Sequence, residues 1–298
     1  MVRNNEETMT CPQCHCYCPE DARDCPCGYR FPVDESARPS PYARQKKTVL
    51  AFVSGAAGTR SKLFRLGFFL CLLIWVLAMV FDDRLPPESA IHPQLFDEPL
   101  QTDEDLPPPF QVTRKKVTYI VTPLFHYELA GLVVSQHRSD SLLDISHRRW
   151  RDHLNIKDLC VVWGRNIRSG VYREMKFWNR DFTCMCRFPD GDIAELFSAS
   201  HLSNNHILCA DDKMSRRILK TRPGDQVYFK GYLASYSQPA NQFFRGSSTV
   251  RGDMGNGACE TVFVTEYRIL QRANPAWRAV KPLALLGGAA FLVALLLA

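Results

Sequence analysis

The cysteines carry the strongest chemical signal in this chain. Twelve are present, and six fall in the segment CPQCHCYCPEDARDCPCGYRF, Cys11 to Phe31. A tetrahedral zinc ion needs four soft ligands delivered by two tight turns. Cys11 and Cys14 supply one turn, shaped by Pro12, while Cys25 and Cys27 supply the other. Gly28 is free to take the positive φ that lets backbone amides approach thiolate sulfurs. The spacing implies a structural zinc on Cys11, Cys14, Cys25 and Cys27, with Cys16 or Cys18 able to replace Cys25 and His15 able to join. An all-thiolate site leaves no position for water, so catalysis at the metal is not expected. A disulfide cluster or a redox dithiol is the competing reading, disfavoured for a cytoplasmic segment outside any βαβ pattern.

Three further clusters could do chemistry: His201 to His206 (HLSNNH), Arg245 to Glu260 (RGSSTVRGDMGNGACE), and the aromatic-basic run Arg173 to Arg180 with Phe177 and Trp178. A thiol nucleophile needs a base to make thiolate at neutral pH. Cys259 has the residue types for this, with His206 as base and Asp253 or Asn205 to orient it. The glycines before Cys259 could offer backbone N–H groups to an oxyanion. The plainer reading has Gly252, Gly255 and Gly257 building a long turn, with Cys259 in the core beside Val262 and Val264. A metal on His201, His206 and Cys209 is a weaker expectation. The arginines Arg148, Arg149, Arg151 and Arg165 to Arg173 form either a solvated face or a surface for anionic headgroups. Nucleic acid is disfavoured as a partner; a membrane and a protein partner are expected.

The block Cys11 to Phe31 resembles the zinc-ribbon family, whose pattern is CPxC, a spacer, then CPxCG and an aromatic. The second turn here, Cys25-Pro26-Cys27, is one residue shorter than that pattern. A zinc module, two spans and a β domain between them also resemble the layout of one membrane family of RING-type ubiquitin ligases. Residues 11–27 are too short to hold two cross-braced zincs, so ligase activity is not expected.

These groups must be positioned by 298 residues that are 46% hydrophobic and 23% charged, with net charge +6, which excludes a disordered, collagen-like or polytopic membrane chain. Two apolar runs stand out: Leu66 to Phe81, extended by Leu63 and Phe64, and Pro282 to Ala298. Each is near the length that crosses a hydrocarbon core, so two transmembrane helices are predicted over 63–81 and 282–298. A signal peptide or a terminal core helix are the alternatives. Arg44, Lys46, Lys47, Arg60, Lys62 and Arg65 precede the first span, while Asp82 and Asp83 follow it. That bias places the N-terminus in the cytoplasm and residues 82–281 outside, although Arg268, Arg272, Arg278 and Lys281 pull the other way.

The expected organisation is a zinc ribbon over 1–35, a basic tether over 36–62, the first span, and an acidic Pro-rich linker over 82–111. A soluble β-rich domain over 112–272 and the second span complete it. Strands are predicted at Val117–Val121, Leu132–Ser135, Asp158–Trp163, Phe182–Phe188, Gln226–Leu233 and Thr261–Leu270, and helices at Ile145–Leu154 and Lys213–Lys220. The fold class is thus a small zinc ribbon, two transmembrane helices and a mainly β (α+β) domain; the phrase RPGDQVYFKGYL suggests an OB-like barrel. If this domain lies outside, Cys160, Cys184, Cys186, Cys209 and Cys259 meet an oxidising environment. Cys184 and Cys186 share a strand face, so each would bridge to another strand rather than to the other. These features predict a membrane-anchored scaffold, sensor or assembly protein; a membrane-bound hydrolase or thiol enzyme using Cys259 and His206 is the alternative.

Overall fold

The structure is a computed structural model that describes residues 8–19, 22–32, 41–141, 144–180, 182–253 and 259–297. The chain divides into two compact units, residues 1–66 with 293–298, and residues 67–292. The first contains the cysteine module, where β1 (Thr8–Thr10) and β2 (Tyr17–Pro19) pair antiparallel. Buried Cys11, Cys18 and Cys25 form its centre, with Met9, Ala22, Tyr29 and Phe31 packed around them.

A single helix, α1 (Pro41–Phe81), absorbs the described part of the basic tether and the first apolar run. Residues 33–40, the end of the expected ribbon and the start of the tether, lie outside the described residues. Gly58–Phe81 of α1 and α6 (Pro275–Leu297) are long and apolar enough to cross a membrane. Within the second unit, residues 67–81 of α1 run beside α6. The Phe291 ring packs over Gly67, where any side chain would collide with it, and Cys71 lies against Gly287 and Gly288. Small residues at such a crossing let helices approach closely.

Between the helices lies a mainly β domain. Its strands are β3 (Leu100–Thr102), β4 (Phe110–Arg114), β5 (Val117–Arg138), β6 (Asn155–Val162), β7 (Lys176–Arg180), β8 (Thr183–Arg187), β9 (Leu202–Leu208), β10 (Gln226–Ser237), β11 (Phe244–Arg245) and β12 (Glu260–Gln271). Short helices α2 (Ile145–Trp150), α3 (Gly164–Arg168), α4 (Gly191–Leu196) and α5 (Asp212–Leu219) punctuate them. Five strands pair in an unbroken cycle: β5 with β6, β6 with β9, β9 with β12, β12 with β10, and β10 back to β5. Four of these pairings are antiparallel, and β9 with β12 is parallel. A core of Leu129, Val133, Leu159, Val161, Ile207, Phe229, Val262 and Val264 is drawn from all five strands, and Ile218 of α5 joins it.

The strands predicted at Val117 and Leu132 are one 22-residue strand. It stays paired across Pro123 because the register shifts there, and a bulge tolerates a residue without an N–H. Of the domain strands, β3, β4, β7, β9 and β11 escaped the sequence reading, with β7 taken as an aromatic-basic run and β9 as a polar motif. The hairpin β7–β8 lies over the sheet, tied to it by a disulfide from Cys184 to Cys160 of β6.

Residues 82–111 are not an extended linker. They hold two short turns of 3-10 helix, Glu88–Ala90 and Pro93–Phe96, followed by β3 and the start of β4. Their charge and proline content masked four apolar anchors, Leu85, Ile91, Leu95 and Phe96, which pack with Leu132, Val162, Ile167 and Tyr172. The Tyr172 hydroxyl donates to the Pro86 carbonyl at 2.8 Å, and the His92 amide donates to Gln226 Oε1 at 2.6 Å. The domain therefore begins at the end of α1.

That junction is polar and dense. Asp82 is 2% exposed and its Oδ2 receives Lys281 Nζ and Arg222 Nη2, each at 2.7 Å. Burial works against its charge, but hydrogen bonds and charge from Lys281 and Arg222 hold its pKa below the usual carboxylate value. Arg278 donates to the Asp82 and Pro223 carbonyls and to the Asp225 carboxylate, and Phe81 stacks on Trp277 at 5.2 Å. Removing one partner of a buried ion pair strands the others, so Asp82→Ala is expected to cost about 2–3 kcal/mol, towards the low end because Lys281 and Arg222 are partly solvated. Thermal unfolding in detergent should fall by roughly 5–10 °C, while Asp83→Ala should shift it little.

Candidate functional site

The Sγ atoms of Cys11, Cys14, Cys25 and Cys27 lie within 4.8 Å of one another, a set able to hold a metal ion. Two of the separations are 3.7 Å, Cys11 to Cys27, and 3.5 Å, Cys14 to Cys25. A tetrahedron with metal–sulfur bonds of about 2.3 Å has edges of roughly 3.8 Å, so the thiols fit such an ion. The shortened second turn still delivers both sulfurs. The Gly28 amide closes it on the Cys25 carbonyl at 2.8 Å, and Gly28 takes φ +86° to do so. Cys16 is exposed, and neither Cys16 nor Cys18 belongs to the four.

A second constellation sits on the outer face of β6 and β9. Register places Asp158 directly opposite His206, and His206 Nδ1 meets Asp158 Oδ1 at 2.7 Å. Both are buried. Burial tends to lower the His206 pKa; the Asp158 charge, its hydrogen bond and the neighbouring Cys259 outweigh that and raise it to about 9. Asp158 moves the opposite way, to about 2: burial tends to raise it, but the charge and hydrogen bond of His206, with Asn155 and His147, outweigh that cost.

The network continues along the face. Asn155 Nδ2 donates to Asp158 Oδ1 at 3.0 Å and lies 3.1 Å from His147 Nε2. His147 Nδ1 is 2.6 Å from Asp144 Oδ2, which His137 Nε2 also reaches at 2.7 Å. Phe182, at φ +61° between β7 and β8, covers this row: its ring lies 4.9 Å from His147 and 5.5 Å from Trp150.

Cys259, just before β12, joins the constellation. Its thiol donates to the Phe182 carbonyl at 3.2 Å and accepts from Asn204 Nδ2 at 3.4 Å. It is half-buried and outside the core to which Val262 and Val264 belong. The structure thus brings Cys259 and His206 together and replaces the expected orienting residues. Asp253 accepts from Ser248 Oγ at 2.6 Å, and Asn205 points to the other face, where it donates to Ser203 Oγ at 2.7 Å. Asp158 was missed because only strand register puts it opposite His206; its place inside the strand DLCVVW gave no hint of a partner. Gly255 and Gly257 lie outside the described residues.

The set His201, His206 and Cys209 does not converge. His201 pairs with Glu98 at 2.8 Å, and Cys209, three residues beyond His206, falls on the opposite face with its thiol on the Asp211 carbonyl. Of the domain cysteines, Cys160 and Cys184 are bridged, while Cys186, Cys209 and Cys259 are free.

The His206–Asp158 pair should make stability depend on pH in a defined window. Folded His206 holds its proton more tightly than an unfolded histidine of pKa 6.5. Its contribution is therefore whole below pH 6.5 and is lost as pH rises through about 9. The Asp158 contribution is present above 3.8 and is lost as pH falls through about 2. The unfolding temperature of wild type should exceed that of His206→Gln by a constant margin near pH 4–6.5, and the margin should shrink by pH 9. A margin flat across that range would remove the ion pair.

No family model, curated protein or solved structure matches the chain.

Proposed function

We propose that the chain is a two-span membrane scaffold: a zinc-stabilised ribbon on the cytoplasmic side and an OB-like β-barrel domain held rigidly against the bilayer on the other. The observation that carries this reading is the Asp82 junction. It joins the end of α1, the start of α6 and the turn before β10 through ion pairs and backbone bonds. A domain fastened at both ends in this way suits presenting a binding face at a fixed height and orientation.

Further observations support the parts. Only 6% of each apolar window is buried, which argues against core helices of a soluble protein. The closed pairing of β5, β6, β9, β12 and β10, with α5 between β9 and β10, supports a barrel of OB-like order. Four thiols at tetrahedral spacing favour zinc. The disulfide Cys160–Cys184 favours an oxidising compartment for the domain, in keeping with the Lys/Arg bias before the first span.

Topology tests the reading most directly. Ser89 is exposed in the turn after α1. A Ser89→Cys variant, with Cys16, Cys18, Cys71, Cys186, Cys209 and Cys259 replaced by Ser, should react with a membrane-impermeant maleimide in intact cells. Labelling only after permeabilisation would reverse the orientation.

The alternative, a thiol enzyme, has one specific observation in its favour: Cys259, His206 and Asp158 form a continuous row. Against it, Cys259 lines neither the cavity at Arg149 and Trp150 nor the one at His147 and His153. In the scaffold reading, iodoacetamide should alkylate Cys259 more slowly at pH 6–7 than it alkylates free cysteine. Rapid alkylation that His206→Gln abolishes would favour the enzyme.

A further inference from the structure

A cavity of about 510 Å³ opens between the end of α2 and the turn that joins β10 to β11. Its walls include Arg149, Trp150, Asn241, Phe243, Phe244 and Arg245. The turn is fixed before any ligand arrives. Gln238 Nε2 donates to the Trp150 carbonyl at 3.1 Å, Asn241 Nδ2 donates to Gln238 Oε1 at 2.8 Å, and the Phe243 amide donates to Asn241 Oδ1 at 2.9 Å. The Phe243 ring rests 5.3 Å from Tyr236 and 5.8 Å from Trp150.

Arg245 is the unusual member. Its guanidinium stacks over Phe182 at 4.2 Å, yet its buried Nη1 has no hydrogen-bond partner among the described residues. The nearby carboxylate Asp152 is already taken, accepting from Tyr236 Oη and from the backbone amides of Leu154 and Asn155. An unpaired buried N–H on a cation is costly, and a carboxylate is the group that a guanidinium fork matches best. Arg149, exposed on the same rim, adds a second positive charge without lysine. Beside the two arginines stand flat apolar surfaces: Trp150, 39% exposed, and Phe244, 68% exposed.

We infer that this cavity is a binding site for an acidic peptide segment of a partner protein, a carboxylate side chain on Arg245 and Arg149 with an adjacent aromatic or aliphatic side chain on Trp150 and Phe244. The position of the site favours a protein over a lipid. Asp225 at the start of β10 belongs to the junction with α6, whereas the cavity lies beyond Ser237 at the other end of that strand. Eleven steps of about 3.3 Å put roughly 35 Å of strand between them, out of reach of headgroups around α1 and α6. The exposed Phe244 extends the apolar rim beyond what a small acid would cover. The inference deepens the scaffold reading by naming what is presented and to whom. It rests on that reading only in placing the membrane at the α1 and α6 end.

Binding is measured on the full chain in detergent by fluorescence anisotropy, with a fluorescein-labelled Gly-Phe-Glu-Phe-Glu-Gly amide as probe and its Gln counterpart as control. The Glu peptide should bind at least about tenfold tighter than the Gln peptide, the loss expected when a charge-assisted hydrogen bond is removed. Arg245→Met and Arg149→Met should each cost about tenfold, and millimolar inorganic phosphate should not compete. Arg149→Glu, at an exposed position, keeps the test decisive if Arg245→Met fails to fold. Equal affinity for the two peptides, or unchanged affinity in both arginine variants, overturns the site. Binding of 3-phenylpropionate without binding of the peptide overturns the peptide assignment, and effective competition by phosphate overturns carboxylate selectivity. Because the protein is purified, a reversed result in the Ser89 labelling leaves this measurement intact, so the two failures are separable.

Discussion

Asp82 is the constraint on which the second unit depends. A carboxylate at 2% exposure survives only if cations reach it, and the two that do come from the loop before β10 and from α6. Each partner is useless without the others: an unmatched charge at that position would force either protonation or local opening. The consequence is mechanical. The ends of α1 and α6 and the leading turn of β10 are held as one joint, so tilt in either helix is carried into the longest ladders of the sheet. Two helices contacting through Gly67, Cys71, Gly287 and Gly288 extend that stiffness downward.

The same logic organises the domain interior. Strand β6 is buried along its whole length, so polar groups on it must be answered from within the protein. On one face Asp158 is answered by His206 and Asn155. Lys157, on the other, places its ammonium on the Thr221 carbonyl at 2.6 Å and the Leu219 carbonyl at 3.2 Å, where the free carbonyls at the end of α5 concentrate negative charge. Burial nevertheless pulls its pKa down to about 7. The hairpin β7–β8 and the Phe182 ring close the outer face, and the disulfide at Cys160 fixes the hairpin where it can do so.

How much of this could be read from the chain depended on how local the signal was. Cys11, Cys14, Cys25 and Cys27 declare themselves by spacing, since a metal knuckle is a property of a few adjacent residues. The apolar stretches of α1 and α6 are equally local, as are the β-branched runs of β6, β10 and β12. Leu95 and Phe96 were hidden because average composition over thirty residues says little about four well-placed anchors. Asp158 and Arg245 were invisible as partners for a different reason: their roles exist only once register and loop closure bring distant residues to them. Strand β9 shows the trap in reverse, because Ser203 to His206 looked like a polar motif and turned out to be the buried part of a strand, where Asn205 donates to Ser203 within β9 and His206 pairs across the sheet with Asp158.

The parallel pairing of β9 with β12 sets the order in which the molecule can be made. Every other link in the cycle is antiparallel; this one is parallel, and it joins β9 to the last strand made, with α5, β10 and β11 between them. While β12 is still being synthesised, β9 therefore keeps one edge open, with its backbone donors and acceptors unsatisfied and ready to pair with any extended chain nearby. Closure of so distant a pair is intrinsically late and slow. Because α1 precedes the sheet, in the two-span reading proposed above the nascent domain would pass through that exposed interval already tethered, at low local freedom and apart from its siblings. A chain deprived of α1 would meet the same interval free in solution, and its characteristic failure would be association through β9 rather than loss of any native contact.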